Sequence, residues 1–187
     1  VVVKGKDIKI ELKGTNHTLT TDADGKASLT IDLIPGNYTA EILFYGDEGY
    51  LSSSKNVGII INQMDSQIIA PSISTTYNVA KNLAVTLKDV KGNVLAGQNV
   101  IVRLNSEIYN KTTDANGQVK LSINLPAKQY SVKITFAGSN IYKSSAKTTK
   151  VTVKKATPKL TASSKTFKAK SKTKKVTVTF KSNKNTT

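Results

Sequence analysis

The residues that could do chemistry are concentrated in two short acidic turns. The first turn reads Thr-Asp-Ala-Asp-Gly and places Asp22 and Asp24 two positions apart. Paired carboxylates on a tight turn suit a hard cation such as Ca²⁺, so these two side chains are weak candidates for a metal site. The second turn begins 92 residues later and has Asp114 and Asn116 in the same places, with one charge fewer. A plain turn without metal is therefore the favoured interpretation, and no cofactor is expected.

Nucleophilic and acid–base catalysis have little support in the composition. His17 is the only histidine, the chain has no cysteine, and the second copy has Tyr109 at the position that matches His17. A nucleophile, a base and an orienting group cannot be assembled around one histidine in what we expect to be an exposed loop. We therefore predict that the chain is not an enzyme.

Four Asn-x-Ser/Thr sequons are candidate glycosylation sites, since a glycan on asparagine needs this tripeptide on an accessible surface. They begin at Asn16, Asn37, Asn110 and Asn185. Asn16 and Asn110 are both expected in the loop that precedes an acidic turn. Asparagine and threonine are abundant in the chain, so chance matches are also expected, and glycosylation stays a hypothesis.

The two acidic turns belong to a repeat with a period of 92 residues. The stretch after the first turn, KASLTIDLIPGNYTAEILFYGDEGY, matches the stretch after the second, QVKLSINLPAKQYSVKITFAGSNIY, without a gap. A third copy begins near the end, where KKVTVTFKSNKN resembles KNLAVTLKDVKGN. Self-similarity at a fixed period indicates a chain of equivalent structural units.

The apolar residues of each copy alternate with polar ones, which is the pattern of strands with one buried face and one wet face. Examples are LAVTLKD, VKLSINL and YSVKITF, and no stretch keeps the three-to-four spacing of a helix for three turns. One unit has about seven short strands in roughly 90 residues, as in an immunoglobulin-like (Ig-like) sandwich. The predicted fold class is all-β, with tandem Ig-like β-sandwich repeats of about 92 residues.

Two residue types are expected to hold this fold at its corners. Tyr38 and Tyr130 begin the penultimate strand of their units, where the hydroxyl of a tyrosine corner bonds back to the backbone. Gly25 and Gly117 close the acidic turns and supply the positive φ that such turns require. These four residues are predicted to be structural.

Three segments follow from the repeat. We expect residues 1–62 to be a partial Ig-like repeat with the later strands, residues 63–155 a complete repeat, and residues 156–187 the first strands of a further repeat. The simplest interpretation is a window from a longer tandem array. If the chain ends were native, the tail of one molecule could complete the head of the next by strand addition, which predicts end-to-end self-association.

The net charge of +16 is unevenly distributed. Residues 1–142 contain 14 basic and 12 acidic side chains, whereas residues 143–187 contain 14 Lys and no Asp or Glu. Lys is a hydrated point charge, and phosphate and base recognition favours Arg, so no nucleic-acid partner is expected. The Lys-rich stretch 165–184 is interpreted as a strand pair with a solvated face, and contact with an anionic wall polymer is its alternative. No apolar run reaches the roughly 20 residues of a spanning helix, so no membrane insertion is expected in this segment.

An internal Lys–Asn isopeptide bond would need a buried lysine, asparagine and acid together. The acids of the complete repeat are predicted in joints, turns or loops, which disfavours such a bond. These acids are Asp65, Asp89, Glu107 and Asp114.

The order of these motifs resembles a known family. TDANGQVKLSINL is followed by a Tyr-centred strand ending in Phe-Ala-Gly, then by SNIYKSS, and then by Val-Thr-Val-Lys. In this order the motifs are similar to the bacterial-type Ig-like repeats of very large adhesin-like surface proteins of methanogenic archaea. The family's Gly-Asp-x-x-Tyr loop stands at residues 46–50, whereas Ser139 replaces its Asp in the second copy. The resemblance implies an Ig-like architecture and a cell-surface location, and it names no ligand.

The predicted function is that of a non-enzymatic, extracellular stalk and adhesive scaffold on a cell surface. Its partners would be cell-surface or wall glycans or other cells, bound weakly and repeatedly, because many weak contacts give avidity. One alternative is a carbohydrate- or wall-binding accessory module of a secreted enzyme, which a solvent-facing aromatic platform would favour. Another is a filament subunit joined by strand exchange.

Overall fold

The computed structural model describes residues 1–170 and 172–182, and its regular elements in these ranges are all strands. The predicted sequon at Asn185 lies outside the described residues. The chain divides into two compact units, one comprising Val1–Met64 with Ser139–Lys143 and the other Asp65–Gly138 with Ser144–Thr187. In the described residues, the structure has no helix with the length and apolar character needed to cross a membrane.

The first unit contains one four-stranded antiparallel sheet in the order β2-β1-β3-β4. Its strands are β1 (Asp7–Leu12), β2 (Thr15–Thr20), β3 (Gly36–Phe44) and β4 (Ser53–Ile61). Lys13 and Gly14 join β1 to β2, and both have positive φ. Two such residues form the mirror-image turn that matches the twist of paired strands, so the chain reverses immediately and β2 pairs with β1 along its length.

In the second unit, two sheets share one core. A three-stranded sheet has the order β10-β7-β5, and a five-stranded sheet has the order β6-β12-β11-β8-β9. The strands of these two sheets are β5 (Ser66–Ile69), β6 (Ile73–Thr76), β7 (Lys81–Asp89), β8 (Asn99–Leu104), β9 (Glu107–Thr112), β10 (Gln118–Ile123), β11 (Lys128–Phe136) and β12 (Ser145–Lys154). All pairings are antiparallel except β6 with β12. Pro71 lies between β5 and β6, which lie in different sheets, so the predicted seven strands become eight.

The core of the second unit is built from alternate residues of both sheets. Leu83, Val85 and Leu87 of β7 are buried, as are Val100 and Val102 of β8. Each fully buried side chain of this size contributes about 1.5–3 kcal/mol to folding. The remaining apolar core residues from this unit are Ile68, Ala70, Leu95, Leu104, Val119, Leu121, Ile123, Tyr130, Val132, Ile134, Phe136, Val151 and Val153. Two sheets meeting over such a core form an Ig-like β-sandwich. The predicted all-β, Ig-like class is confirmed, and the tandem repetition of about 92 residues stays a prediction.

The first copy differs from the second between residues 26 and 33. In the second copy, β10 pairs with β7 over six residues. The matching residues of the first copy have no strand assignment, although they keep the same alternation of apolar and polar side chains. A strand needs a hydrogen-bonded neighbour, and the described residues of the first unit supply none for this segment. Among the described residues of the whole first unit, Leu12 and Ala40 are the only buried apolar ones.

The Lys-rich end of the described chain forms a short hairpin. Strands β13 (Lys159–Ala162) and β14 (Val178–Lys181) pair antiparallel, with Leu160 opposite Phe180. Both strands are exposed along their whole length. The described part of the Lys-rich stretch thus includes one strand of this pair.

Candidate functional site

In both acidic turns, the hydroxyl of the threonine bonds to backbone groups at the same two positions upstream. Thr113 is buried, donates its hydroxyl to Leu95 O at 2.6 Å and accepts Gln98 N at 2.9 Å. In the first copy, Thr21 bonds to Val3 O and Lys6 N in the same way. The threonine hydroxyl therefore bonds each turn to a segment 15 to 18 residues upstream.

The carboxylates of these turns accept backbone N–H groups. Asp22 Oδ1 accepts Asp24 N and Lys26 N, both at 2.9 Å. Asp114 Oδ1 accepts the N–H groups of Asn116 and Gln118 at 2.8 and 2.9 Å. Within 1–170 and 172–182, no group of three or more His, Cys, Asp or Glu side chains could hold a metal. The arrangement of Asp22 and Asp24 is accounted for by turn geometry.

The two tyrosines occupy equivalent corners. Tyr130 is buried and donates its hydroxyl to Pro126 O at 2.8 Å. Tyr38 donates to Ile34 O at the same distance, although its surroundings are more exposed. Both bonds span four residues just upstream of the penultimate strand, as in a tyrosine corner.

Asp89 is a buried carboxylate, although the sequence analysis expected it in a joint, turn or loop. It ends β7 and is 3% exposed. Its oxygens accept Asn93 Nδ2, Asn93 N and Lys91 N at 2.8 to 2.9 Å. The hydrogen bond from the Asn93 side chain is the main cause that lowers the pKa of Asp89, and backbone donors add to it. Its role is therefore to close the turn after β7.

His17 and two sequon asparagines were expected in loops, and this expectation is wrong. His17 and Asn16 lie within β2, and Asn110 lies within β9. The reason is the tight turn that precedes each strand, since Lys13–Gly14 and Asn105–Ser106 all have positive φ. His17 is half-buried opposite Ile10, whereas Asn16, Asn37 and Asn110 are exposed. The three asparagines are thus sterically open to a glycan, and glycosylation stays a hypothesis.

One charged pair connects the start of the first copy to its Gly-Asp-x-x-Tyr loop. Lys6 Nζ forms an ion pair with Asp47 Oδ2 and also lies 5.5 Å from the ring centroid of Tyr50. Asp47 Oδ1 accepts Gly49 N and Tyr50 N at 2.8 and 2.9 Å. The hydrogen bond between the two side chains is the main cause that lowers the pKa of Asp47 and raises the pKa of Lys6.

The second copy replaces both members of this pair. Ser139 Oγ accepts the N–H groups of Ile141 and Tyr142, so the loop is closed by a neutral acceptor. Gln98, at the position of Lys6, donates its side-chain amide to Ala96 O. The sequence analysis noted Ser139 and missed Lys6, although the fixed offset of 92 residues connects Lys6 with Gln98.

Beyond these bonds, the second unit has a shallow cleft of about 330 Å³ at one end of its sandwich. Five hydroxyl or amide side chains and five apolar ones line it, and none of the lining residues is charged. The polar lining residues are Thr75, Thr76, Asn78, Ser122 and Asn124.

The comparisons with known proteins agree with an all-β module. The family profile of macroglobulin domain MG4 matches residues 81–155, the stretch from β7 to β12. The comparison with curated proteins gives no match.

Several solved structures are similar at low identity. The fibronectin(III)-like modules of CbhA from Clostridium thermocellum are 12% identical, with coverage of 81% of this chain and 80% of that one and a TM-score of 0.38. Domains 4 and 5 of the S-layer protein SbsC are 18% identical over 81% and 72%, with a TM-score of 0.34. The Yersinia pseudotuberculosis adhesin InvE is 18% identical over 80% of this chain and 50% of that chain, with a TM-score of 0.32. Because these values are low, the sandwich assignment rests on the sheets and their shared core.

Proposed function

We propose that this chain is a non-enzymatic segment of an extracellular cell-surface protein, in which repeated Ig-like modules give reach and weak multivalent adhesion. The observation that supports this best is the use of the repeated residues. Thr113, Asp114 and Tyr130 all bond to backbone groups of their own module, and their first-copy counterparts do the same. The repeated residues thus maintain a scaffold.

A scaffold that repeats can adhere without one strong site. Several weakly binding modules on one chain raise the effective concentration at a surface, so the avidity exceeds each single affinity. We propose wall or cell-surface glycans, or other cells, as the partners. The resemblance of the motifs to the repeats of methanogen adhesin-like proteins supports an archaeal cell surface.

Fractionation of native cells tests the proposed location. An antibody against residues 65–155 should detect a band that remains with the cell envelope and is removed when intact cells are treated with protease. A cytosolic protein with the same molecular mass should resist that treatment and serves as the control. A protease-resistant band in the soluble fraction would contradict a surface location.

Beads that display the chain test adhesion. Beads with many copies should bind envelope fragments, and beads with few, widely spaced copies should not, because only dense display allows simultaneous contacts. Beads that carry heat-unfolded chain at the same density are the matched control. Equal binding at both densities would show a single strong site and would contradict the multivalent mechanism.

A second candidate is a carbohydrate-binding module, which the neutral polar cleft of the second unit favours. Its hydroxyl and amide groups match the hydrogen-bonding groups of a neutral sugar. Asn124→Ala should then weaken retention on a neutral polysaccharide gel, whereas Asn99→Ala on β8 should not. Equal retention of both variants would exclude this cleft as the binding site.

A further inference from the structure

The outer faces of the two units carry charge pairs of opposite sign at one repeated position. In the first unit, Glu11 on β1 lies directly opposite Glu41 on β3. In the second unit, 92 residues later, Arg103 on β8 lies directly opposite Lys133 on β11. All four side chains alternate with the inward-facing apolar residues of their strands, so they point outward. Glu41, Arg103 and Lys133 are exposed, and Glu11 is half-buried. The position is therefore an acidic pair in one module and a basic pair in the other.

Each pair costs its own sheet some stability. Side chains directly opposite in an antiparallel pair have Cβ atoms about 4.5–5.5 Å apart, and like charges there repel. Neither carboxylate has an ion pair in the part of the chain that the structure describes, and neither do the two cations. Within the described residues, no ion pair of these four side chains offsets the repulsion.

Protection of a sheet edge does not explain the pairs. Charges often blunt an exposed edge strand against unwanted pairing. However, β1 and β3 are the inner strands of their sheet, and β8 and β11 are inner strands of theirs. The charges lie at the centre of the two outer faces, where a docking surface would have its middle.

The surroundings of the basic pair are basic, whereas those of the acidic pair include one cation. On the outer face of the second unit, Lys150 of β12 lies opposite Ser131, two residues from Lys133 on β11, and is therefore diagonal to Lys133. On the outer face of the first unit, Lys9 is a cation, and it lies 6.0 Å from the ring centroid of Tyr45. At the scale of the chain, residues 1–64 contain eight acidic residues against six Lys, and residues 65–187 contain four against 22 Lys and Arg.

We propose that the acidic outer face of the first unit of one molecule docks onto the basic outer face of the second unit of another copy. Glu11 and Glu41 of one copy would pair with Arg103 and Lys133 of the other, so that each like-charged pair gains the opposite charges that its own sheet lacks. Every copy carries both faces, so the contact is heterologous and each copy can offer one face to each of two neighbours. This lateral contact uses sheet faces and is distinct from end-to-end strand addition.

Charge swaps and self-association measured by sedimentation velocity test this contact. At about 0.05 M salt the chain of residues 1–187 should associate with increasing concentration, and at about 0.5 M salt the association should weaken at least tenfold, because salt screens exposed charges. E11K/E41K makes both faces basic, and R103E/K133E makes both faces acidic. Each variant alone should lose self-association.

Mixtures of the two variants give the decisive result. An equimolar mixture of E11K/E41K with R103E/K133E should associate at least as tightly as the native chain, since basic faces then meet acidic faces. D32K/E48K and K91E/K155E change the net charge by the same amounts at exposed positions away from both faces, and they should leave self-association within about threefold of the native value. Circular dichroism should show an unchanged strand content in all variants.

Three results would overturn the proposal. The first is a native chain that stays monomeric at low salt. This holds also if its basic face binds an added anionic polysaccharide. The second is association that ignores the swaps and strengthens with salt, which indicates contact between apolar faces. The third is a mixture of swapped variants that stays monomeric.

Discussion

At the residue scale, the two copies share the side-chain hydrogen bonds to the backbone and differ in a charged side-chain pair. Thr21 and Thr113 make the same backbone bonds, whereas the ion pair of Lys6 and Asp47 is absent from the second copy, in which Gln98 and Ser139 take these positions. A module can exchange an ion pair for neutral groups because an exposed pair contributes little to stability. A backbone acceptor that loses its donor in a buried turn is more costly.

The Lys6–Asp47 pair predicts a pH dependence of stability. The pKa of Asp47 is lowered in the folded chain, so its contribution exists above the ordinary Asp range and is lost as the pH falls through the folded value. The pKa of Lys6 is raised, so its contribution exists below the ordinary Lys range and is lost as the pH rises through the folded value. The Tm difference between the native chain and Asp47→Asn should be largest near neutral pH and shrink towards both extremes.

Thermal unfolding of both proteins between about pH 3 and about pH 11 measures this difference. Asp32→Asn removes an exposed carboxylate outside any strand and is the matched control, for which a small difference is expected. A Tm difference for Asp47→Asn that is constant across this range would contradict the role of the ion pair.

Gly117 provides a second prediction at this scale. Its φ is +67°, and a Cβ built there lies 2.8 Å from Leu87 O and 3.0 Å from Leu95 N. Gly97 has a similar φ of +68°, but a Cβ there meets nothing within 4 Å. Gly97→Ala should cost about 1–2 kcal/mol for the left-handed backbone alone, and Gly117→Ala should cost about 1–3 kcal/mol more for the overlap. Urea unfolding of the two variants gives this difference, and equal costs would contradict the predicted overlap.

At the element scale, alternation in the sequence predicted strands correctly where a partner strand was available. The pattern of LAVTLKD and YSVKITF gave β7 and β11, because both pair along their length. The same pattern in residues 26–33 gave no strand, because pairing depends on a neighbour that the alternating letters do not specify. The sequence pattern also could not predict that Glu11 lies opposite Glu41, because the pairing register of the two strands decides which charges are neighbours.

Amide hydrogen exchange should separate β10 from its first-copy counterpart. The amides of β10 that bond to β7 should exchange only on unfolding of the second unit, because both strands lie over a buried core. The amides of residues 27–33 should exchange quickly, since they belong to no ladder. Mass spectrometry of peptides from both segments measures the ratio of their amide exchange rates. Equal protection would contradict the lack of a pairing strand for residues 27–33.

At the scale of the whole molecule, burial is divided unequally between the two units. Almost all fully buried side chains belong to the second unit, including Leu83, Leu87 and Ile134. In the first unit, the apolar residues of β1 and β3 are mostly half-buried. Hydrophobic stabilisation scales with the area removed from water, so the two units should differ in stability.

We therefore expect residues 63–155 to fold alone. They contain both sheets of the sandwich and its turns, and about 90 residues are sufficient for one core. In calorimetry, the chain of residues 1–187 should unfold in two transitions, and the isolated segment 63–155 should retain only the higher one. Leu87→Ala should lower that transition equally in both proteins, at a cost of about 2–5 kcal/mol, whereas Leu51→Ala, at a position 92% exposed, should leave it unchanged in the full chain. If the isolated segment is unfolded, the complete repeat depends on the rest of the chain, and the division of stability between the units is wrong.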